Sequence, residues 1–89
     1  MKNILIVDDN KQILDVLKEY AAREGFTVYT AESGKNALAE FESRSYEAVL
    51  LDVMMPEMDG FEVCRQIRKT SMVPIIMITA RGDVCGGFG

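Results

Sequence analysis

The sequence predicts an α/β domain in which a parallel sheet is covered by helices on both faces. Segments of nearly continuous apolar residues alternate along the chain with segments whose apolar residues recur at helical spacing. Continuous apolar strands are typical of a sheet that is buried on both faces. The order along the chain is β-α-β-α-β-α-β, so right-handed crossovers are expected to connect parallel strands.

The first strand and the first helix are predicted over residues 3–7 and 11–24. The strand consists of β-branched and other apolar residues, and an acidic pair ends it. Either Asp9 or Asn10 can cap the helix, and Gly25 ends it. The apolar residues at helical spacing in this segment are Ile13, Val16, Leu17, Tyr20 and Ala21.

The central part of the chain is predicted to contain a strand, a helix and a further strand. Residues 26–31 alternate in the way that is typical of a strand with one exposed face. Ser33 is the expected cap of the second helix, and the third strand is predicted over residues 46–51. The inner stripe of the second helix is expected to contain Ala37, Leu38 and Phe41.

The third helix is predicted over residues 60–69, and Pro74 opens a fourth strand over residues 75–79. Residues 81–89 contain four glycines and show no helical periodicity, so we expect an irregular tail there. The apolar residues of the third helix are Phe61, Val63, Cys64 and Ile67.

Length and charge exclude several classes of protein. With 89 residues the chain forms one domain at most. Its net charge of −4, from 10 basic and 14 acidic residues, argues against direct nucleic-acid binding by this piece. Its apolar runs are far too short for a membrane span, and the N-terminus lacks the pattern of a signal peptide. We therefore expect a cytoplasmic protein.

The cysteine and histidine content restricts the chemistry that is available. We expect the two cysteines, Cys64 and Cys85, to be free thiols in an unexported chain. The sequence contains no histidine, so any bound metal needs oxygen ligands. Oxygen ligands favour Mg²⁺, Mn²⁺ or Ca²⁺.

Polar residues follow three of the four predicted strands. Asp8 and Asp9 follow the first strand, Asp52 follows the third, and Thr79 ends the fourth. Ligands of open α/β sheets bind beyond the carboxyl ends of the strands. If the first, third and fourth strands are neighbours, these side chains meet in one crevice.

Carboxylates that meet in a crevice need a counter-charge. Two of them about 4 Å apart repel by roughly 4 kcal/mol at an effective dielectric constant near 20. One carboxyl group is then protonated, or a divalent cation such as Mg²⁺ lies among them. A carboxylate in this position can also attack a phosphoryl group and form an aspartyl phosphate.

Each of these residues also has a simpler interpretation. Asp8 and Asp9 can serve only to cap the first helix, and Asp52 can be a turn residue at the end of a strand. Thr79 taken alone is more often a strand residue than a ligand. It is the combination of these residue types at these strand ends that favours a functional site.

Three motifs now carry a resemblance to a known family. The segments "ILIVDDN", "LLDVMMPEMDG" and "PIIMITA" resemble the receiver domain of two-component response regulators, and the match runs from Met1 to about Gly82. The resemblance implies a flavodoxin-like fold with strand order 2-1-3-4-5. The sequence looks most like receivers that are attached to a winged-helix DNA-binding domain.

The resemblance also implies roles for individual residues. Asp52 would accept a phosphoryl group from the phosphohistidine of a sensor histidine kinase. Asp8 and Asp9 would hold Mg²⁺ together with Asp52 and the backbone carbonyl of Met54. Thr79 would then contact the phosphoryl group.

Three further positions match the family pattern. Ala80 follows Thr79 and would lie beside the phosphoryl group. Pro56 and Gly60 would shape the loop that follows the phosphoacceptor.

The sequence departs from the family pattern near its end. The family continues with a fourth helix, a fifth strand that ends in a lysine, and a fifth helix, and this chain contains no match to that lysine. We therefore expect a partial receiver domain over residues 1–82 and a glycine-rich tail over residues 83–89 that does not belong to the family. Strand 75–79 would be an open edge, through which the chain would self-associate or exchange elements with a second copy.

Several functions compete at this point. The first is a phosphoacceptor signalling domain, which is not an enzyme that acts on free substrates. The second is a receiver fragment that is not phosphorylated and acts only as a folding or dimerising module. A phosphohydrolase with an aspartyl-phosphate intermediate is disfavoured because the Asp-x-Asp pair is absent. A Rossmann nucleotide-binding protein is disfavoured because no glycine-rich loop follows the first strand.

Overall fold

The computed structural model describes residues 2–78 and contains four strands and three helices in the predicted order. Thr79, Ala80 and the tail over residues 83–89 lie outside the described residues. The elements are β1 (Asn3–Val7), α1 (Lys11–Arg23), β2 (Thr27–Ala31), α2 (Gly34–Ser43), β3 (Ala48–Asp52), α3 (Gly60–Arg68) and β4 (Ile75–Ile78). Within residues 2–78 no helix is long and apolar enough to cross a membrane.

The four strands form one parallel sheet in the order β2-β1-β3-β4. This order confirms the flavodoxin-like arrangement that the resemblance implies. β1 lies between β2 and β3, and Ile4 is paired with Val28 on one side and with Ala48 on the other. The last pair of the β3–β4 ladder joins Asp52 to Ile78, so Asp52 lies at the carboxyl end of its strand.

The main hydrophobic core lies between the sheet and helices α2 and α3. Alternate residues of the strands point to this face, and they pack against the inner stripes of the two helices. The core includes Leu5, Val7, Val49, Leu51, Ile75 and Met77 from the strands and Ala37, Val63, Cys64 and Ile67 from the helices. Leu38 and Phe41 of the predicted stripe of α2 are partly buried against it.

Helix α1 covers the other face of the sheet, and only some of its apolar residues at helical spacing are buried there. Leu14 is the buried residue of α1, and it lies on the side of the sheet to which Ile4 and Ile6 point. Ile13, Val16 and Tyr20 are exposed by 41%, 60% and 71%, whereas Leu17 and Ala21 are half-buried. The apolar positions of α1 occupy a wider arc than the sheet covers, so periodicity alone did not identify the inner flank.

A capping residue marks the start of α1, and an aromatic cluster lies just before β3. Asn10, not Asp9, caps α1, because its side chain accepts hydrogen bonds from the backbone N–H groups of residues 12 and 13. Tyr46 precedes β3, which starts two residues later than predicted. Its ring lies 5.9 Å from the ring of Tyr29, edge to face, and 5.9 Å from that of Phe41, stacked.

The expectation of free thiols is wrong for Cys64, which is disulfide-bonded. The expectation was based on the cellular compartment alone, and not on the surroundings of Cys64 in the fold. Cys64 is 1% exposed on the inner face of α3. Cys85 lies outside the described residues.

The two faces of β3 differ in burial, and we expect Leu51→Ala to show this. Leu51 is fully buried in the core under α2 and α3, so its truncation should lower the free energy of unfolding by about 2–5 kcal/mol. Leu50 is its half-buried neighbour on the opposite face, and Leu50→Ala is the matched control with a smaller expected loss. Urea unfolding followed by circular dichroism measures both values. Equal losses would contradict the placement of the main core.

Candidate functional site

Three aspartates converge at the carboxyl ends of β1 and β3. One carboxylate oxygen from each of Asp8, Asp9 and Asp52 lies within 4.8 Å of the other two. Asp8 is only 3% exposed, Asp52 is half-buried and Asp9 is exposed. The structure therefore brings together the three carboxylates that the sequence placed at strand ends, at an edge that solvent reaches from one side.

The backbone around Asp8 orients its carboxylate towards the crevice. The Asp8 N–H donates to the Ala31 carbonyl, 3.1 Å away, which extends the β1–β2 ladder by one residue. The Asn10 N–H donates to Asp8 Oδ1 at 2.8 Å. Since Asn10 also caps α1, Asp9 is not needed for capping and its carboxylate is available to the cluster. The capping interpretation of the acidic pair is therefore wrong for Asp9.

Asp52 has a pKa above the ordinary carboxyl value. Loss of hydration on burial is the largest cause, and the negative charges of Asp8 and Asp9 raise the pKa further. The Met54 N–H donates to Asp52 Oδ1 at 3.2 Å and acts in the opposite direction, because it stabilises the ionised form. A nearby cation would therefore stabilise the ionised form of Asp52.

The described residues supply no cation to this cluster. Within residues 2–78 the ion pairs are Arg23–Glu19, Arg44–Glu40 and Arg65–Glu62, and none of them includes an aspartate of the site. Three carboxylates whose oxygens lie within 4.8 Å of one another repel by several kcal/mol in total at an effective dielectric constant near 20. A hard divalent cation with oxygen ligands fits this donor set.

Residues 53–59 connect β3 to α3 and form the site loop, which begins beside Asp52. The Val53 carbonyl accepts hydrogen bonds from the N–H groups of Met55 and Gly60, at 3.1 and 3.0 Å. The Pro56 carbonyl accepts one from the Met58 N–H at 2.8 Å. These bonds fold the loop back on itself before Asp59 caps α3.

Gly60 is the first residue after the site loop, and no side chain fits at its position. A Cβ on Gly60 would lie 2.5 Å from the Asp52 carbonyl oxygen and 2.8 Å from Val53 Cα. Met54 is 77% exposed at the surface, whereas Met55 is buried in the core. The structure places Pro56 within the site loop and Gly60 directly after it, and the loop-shaping role that the resemblance implies for them stays a prediction. The roles of the Met54 carbonyl, Thr79 and Ala80 stay predictions, and the last two residues lie outside the described part of the chain.

The sequence did not indicate that Asn10 and Gly34 contribute to the geometry of the site. Asn10 holds Asp8 through its backbone N–H, and only its capping role could be predicted from the order of residue types. Gly34, the first residue of α2, contacts the site loop from a distant part of the chain. The residue types around a glycine that follows a capping serine do not indicate such a contact.

Comparison with known proteins links this geometry to a family. The family described as response regulator receiver domain matches residues 4–85. The chain is 48% identical over 80 residues to the transcriptional regulatory protein ResD of Bacillus subtilis, covering 90% of this chain and 33% of that protein. It is 46% identical over 83 residues to the CpxR homolog of Haemophilus influenzae, covering 93% of this chain and 36% of that protein. The chain thus spans about a third of the length of these relatives.

Solved structures show the same fold. A structure of the response regulator TrrA from Thermotoga maritima in complex with Mg²⁺-BeF has a TM-score of 0.84 and 42% identity, and the match covers 91% of this chain and 73% of that one. A structure of the histidine kinase ThkA in complex with TrrA has a TM-score of 0.83 and 46% identity, with 90% and 70% covered.

The raised pKa of Asp52 gives a testable dependence of stability on pH. A carboxyl group whose pKa is higher in the folded chain destabilises the fold once it ionises, and this loss is absent below its ordinary value of 3.8. In a chelator at pH 7, Asp52→Asn should therefore increase the free energy of unfolding, and the increase should disappear as the pH falls towards 3.8. Urea unfolding at several pH values measures it.

The control for this experiment is Asp15→Asn, which removes one negative charge from the exposed surface of α1. It should leave stability nearly unchanged over the same pH range. If Asp52→Asn is no more stable than the unaltered chain at pH 7, neither the burial of the Asp52 charge nor its repulsion by Asp8 and Asp9 costs significant free energy in the folded chain.

Proposed function

Because this chain belongs to the response regulator receiver domain family, we propose that its Asp52 carboxylate accepts a phosphoryl group. The observation that carries the proposal is the convergence of Asp8, Asp9 and Asp52 within 4.8 Å at the carboxyl ends of two neighbouring strands. Its donor would be the phosphohistidine of a sensor histidine kinase. The complex of the kinase ThkA with the receiver TrrA supports a partner of this class.

The proposed transfer uses Asp52 as a nucleophile. A carboxylate oxygen of Asp52 attacks the phosphorus atom, the bond from phosphorus to the donor nitrogen breaks, and an acyl phosphate forms on Asp52. The leaving imidazole keeps the bonding electron pair and takes a proton from water. The Met54 N–H, which donates to Asp52 Oδ1, fixes the orientation of the attacking carboxylate.

Mg²⁺ is the cofactor that we propose for the cluster. Asp8, Asp9, Asp52 and the backbone carbonyl of Met54 would hold it. When bound, Mg²⁺ would neutralise charge on the carboxylates and on the transferring oxygens. The complex of TrrA with Mg²⁺-BeF supports this choice.

The remaining parts of the proposal concern the wider context. Thr79 and Ala80 would contact the phosphoryl group. The chain would act as a phosphoacceptor in signal transduction and not as an enzyme on free substrates, and a cytoplasmic location stays a prediction. The name of ResD as a transcriptional regulatory protein supports an output in transcription when a receiver of this kind is joined to a DNA-binding domain.

The proposal predicts that Asp52→Asn abolishes phosphorylation. After incubation with Mg²⁺ and acetyl phosphate, the intact mass of the unaltered chain should increase by one phosphoryl group, and that of Asp52→Asn should not change. Asp59→Asn is the matched control, since Asp59 lies in the site loop and caps α3, and asparagine caps as well as aspartate does. It should take up phosphate normally.

Two outcomes of the mass experiment would overturn the proposal. Uptake that persists in Asp52→Asn would mean that another residue accepts the group. No uptake by the unaltered chain, at Mg²⁺ concentrations that saturate receiver-like sites, would mean that the cluster does not act as a phosphoacceptor. Addition of a chelator should abolish uptake by the unaltered chain.

A second candidate function is assembly through β4, and one observation favours it. β4 is an edge strand of the described sheet and contains only apolar residues, without the charge or proline that usually protects an edge. Ile76 is 46% exposed on it, next to half-buried Leu50 on the same face. A second copy of the chain that pairs with this edge would lie beside Ile76.

Assembly through β4 predicts that Ile76→Lys weakens self-association. A lysine at this edge adds a charge that must be desolvated when two copies pair, so the dissociation constant should increase at least tenfold. Analytical ultracentrifugation over a concentration series measures it. Met72→Lys is the matched control because Met72 is 79% exposed but precedes β4. An unaltered chain that stays monomeric at high concentration would exclude this function.

A further inference from the structure

Two glycines contact the site loop, and only Gly60 follows the loop directly in the chain. Gly60 closes the loop against the end of β3. Gly34 lies on α2, a separate element, and is buried where α2 approaches the loop. The sequence motifs that contain the acidic cluster do not include Gly34.

The space beside Gly34 is too small for any side chain. A Cβ on Gly34 would lie 2.9 Å from the Met58 carbonyl oxygen and 3.0 Å from Met58 Cβ. It would also lie 2.8 Å from Val63 Cγ2, on the inner face of α3. Two of these three neighbours are a backbone oxygen and a Cβ, which cannot rotate away. A methyl group at this position must therefore push the loop or α2 aside.

A displacement at Met58 passes to the residue beside Asp52. The Met58 N–H donates to the Pro56 carbonyl, and the N–H groups of Met55 and Gly60 share the Val53 carbonyl, so two sets of backbone hydrogen bonds, joined through the short chain between them, fold the loop. Glu57 has a φ of +66°, in the left-handed region that non-glycine residues seldom adopt. Such a conformation persists only where the surrounding contacts hold it.

We propose that Gly34 is a positioning residue for the metal site. Its missing side chain lets the start of α2 contact Met58, and this contact holds the site loop so that the Met54 backbone stays against Asp52. The proposal depends on the proposed function, since it assumes that Mg²⁺ binds at the cluster. It adds a residue of α2 to the groups that determine Mg²⁺ affinity.

Gly34→Ala should weaken Mg²⁺ binding by at least about tenfold, the effect that is typical when a residue supporting metal ligands is changed. Isothermal titration calorimetry with MgCl₂ measures the affinity of the full chain. The Mg²⁺-induced shift of the Met54 amide signal in a nitrogen–proton spectrum reports whether the loop still responds to the metal. Loss of stability alone would not change either value in the folded chain.

Gly25→Ala is the matched control. Gly25 has a φ of +94° and no atom within 4 Å of the position of its Cβ, so alanine there strains the backbone without a clash. Gly25→Ala should lower the melting temperature and leave Mg²⁺ affinity unchanged. If Gly34→Ala binds Mg²⁺ as tightly as Gly25→Ala does, the proposal is wrong. If the unaltered chain binds no Mg²⁺, the proposed function itself fails.

A second variant keeps the test decisive if Gly34→Ala does not fold. Adding Val63→Ala to Gly34→Ala removes Cγ2, the nearest atom to the new methyl group, but leaves the Met58 carbonyl in place. This double variant should fold and still bind Mg²⁺ at least about tenfold more weakly than Val63→Ala alone. Equal affinity of the two would overturn the positioning role.

Discussion

Repulsion among three carboxylates is the constraint on which the rest of this structure depends. Asp8, Asp9 and Asp52 would separate if their backbones were free, because each gains hydration and loses repulsion by moving apart. They stay within 4.8 Å because β1 and β3 are neighbouring strands whose residues are buried on the α2–α3 face. The apolar packing of the sheet therefore maintains the charge density that makes the site attract a cation.

The positions of the charges are set by backbone groups more than by side chains. An N–H group from Asn10 and another from Met54 each bind one oxygen of a site aspartate, and both donors belong to segments that immediately follow a strand. Such bonds orient each carboxylate without neutralising it. These N–H groups reduce the repulsion only in part, so a cation would stabilise the cluster further. Gly60 and Gly34 let neighbouring backbone approach the site loop closely.

The sequence predicted those features that depend on local order, and it failed where the placement of one element on another decides. The strands, the capping serine and the acidic residues at strand ends could be predicted, because residue type and spacing determine them. The inner flank of α1 could not, since Leu14 and Val16 are both apolar and only the position of the sheet buries one of them. The contact of Gly34 with Met58 joins residues far apart in the chain and has no local signature.

The proposed phosphoryl acceptance and the proposed assembly depend on different parts of the described sheet. The three carboxylates come from the ends of β1 and β3, which are both internal to the described sheet. Within the described residues, the edge strand β4 meets the site at the pairing of Ile78 with Asp52 and at a long hydrogen bond, 3.4 Å, from the Val53 N–H to the Ile78 carbonyl. Pairing of a second copy with the side of β4 that has no neighbour among the described strands would leave the ladder between β1 and β3 intact. An occupied edge and an active acidic cluster are therefore compatible, and neither property by itself is evidence for the other.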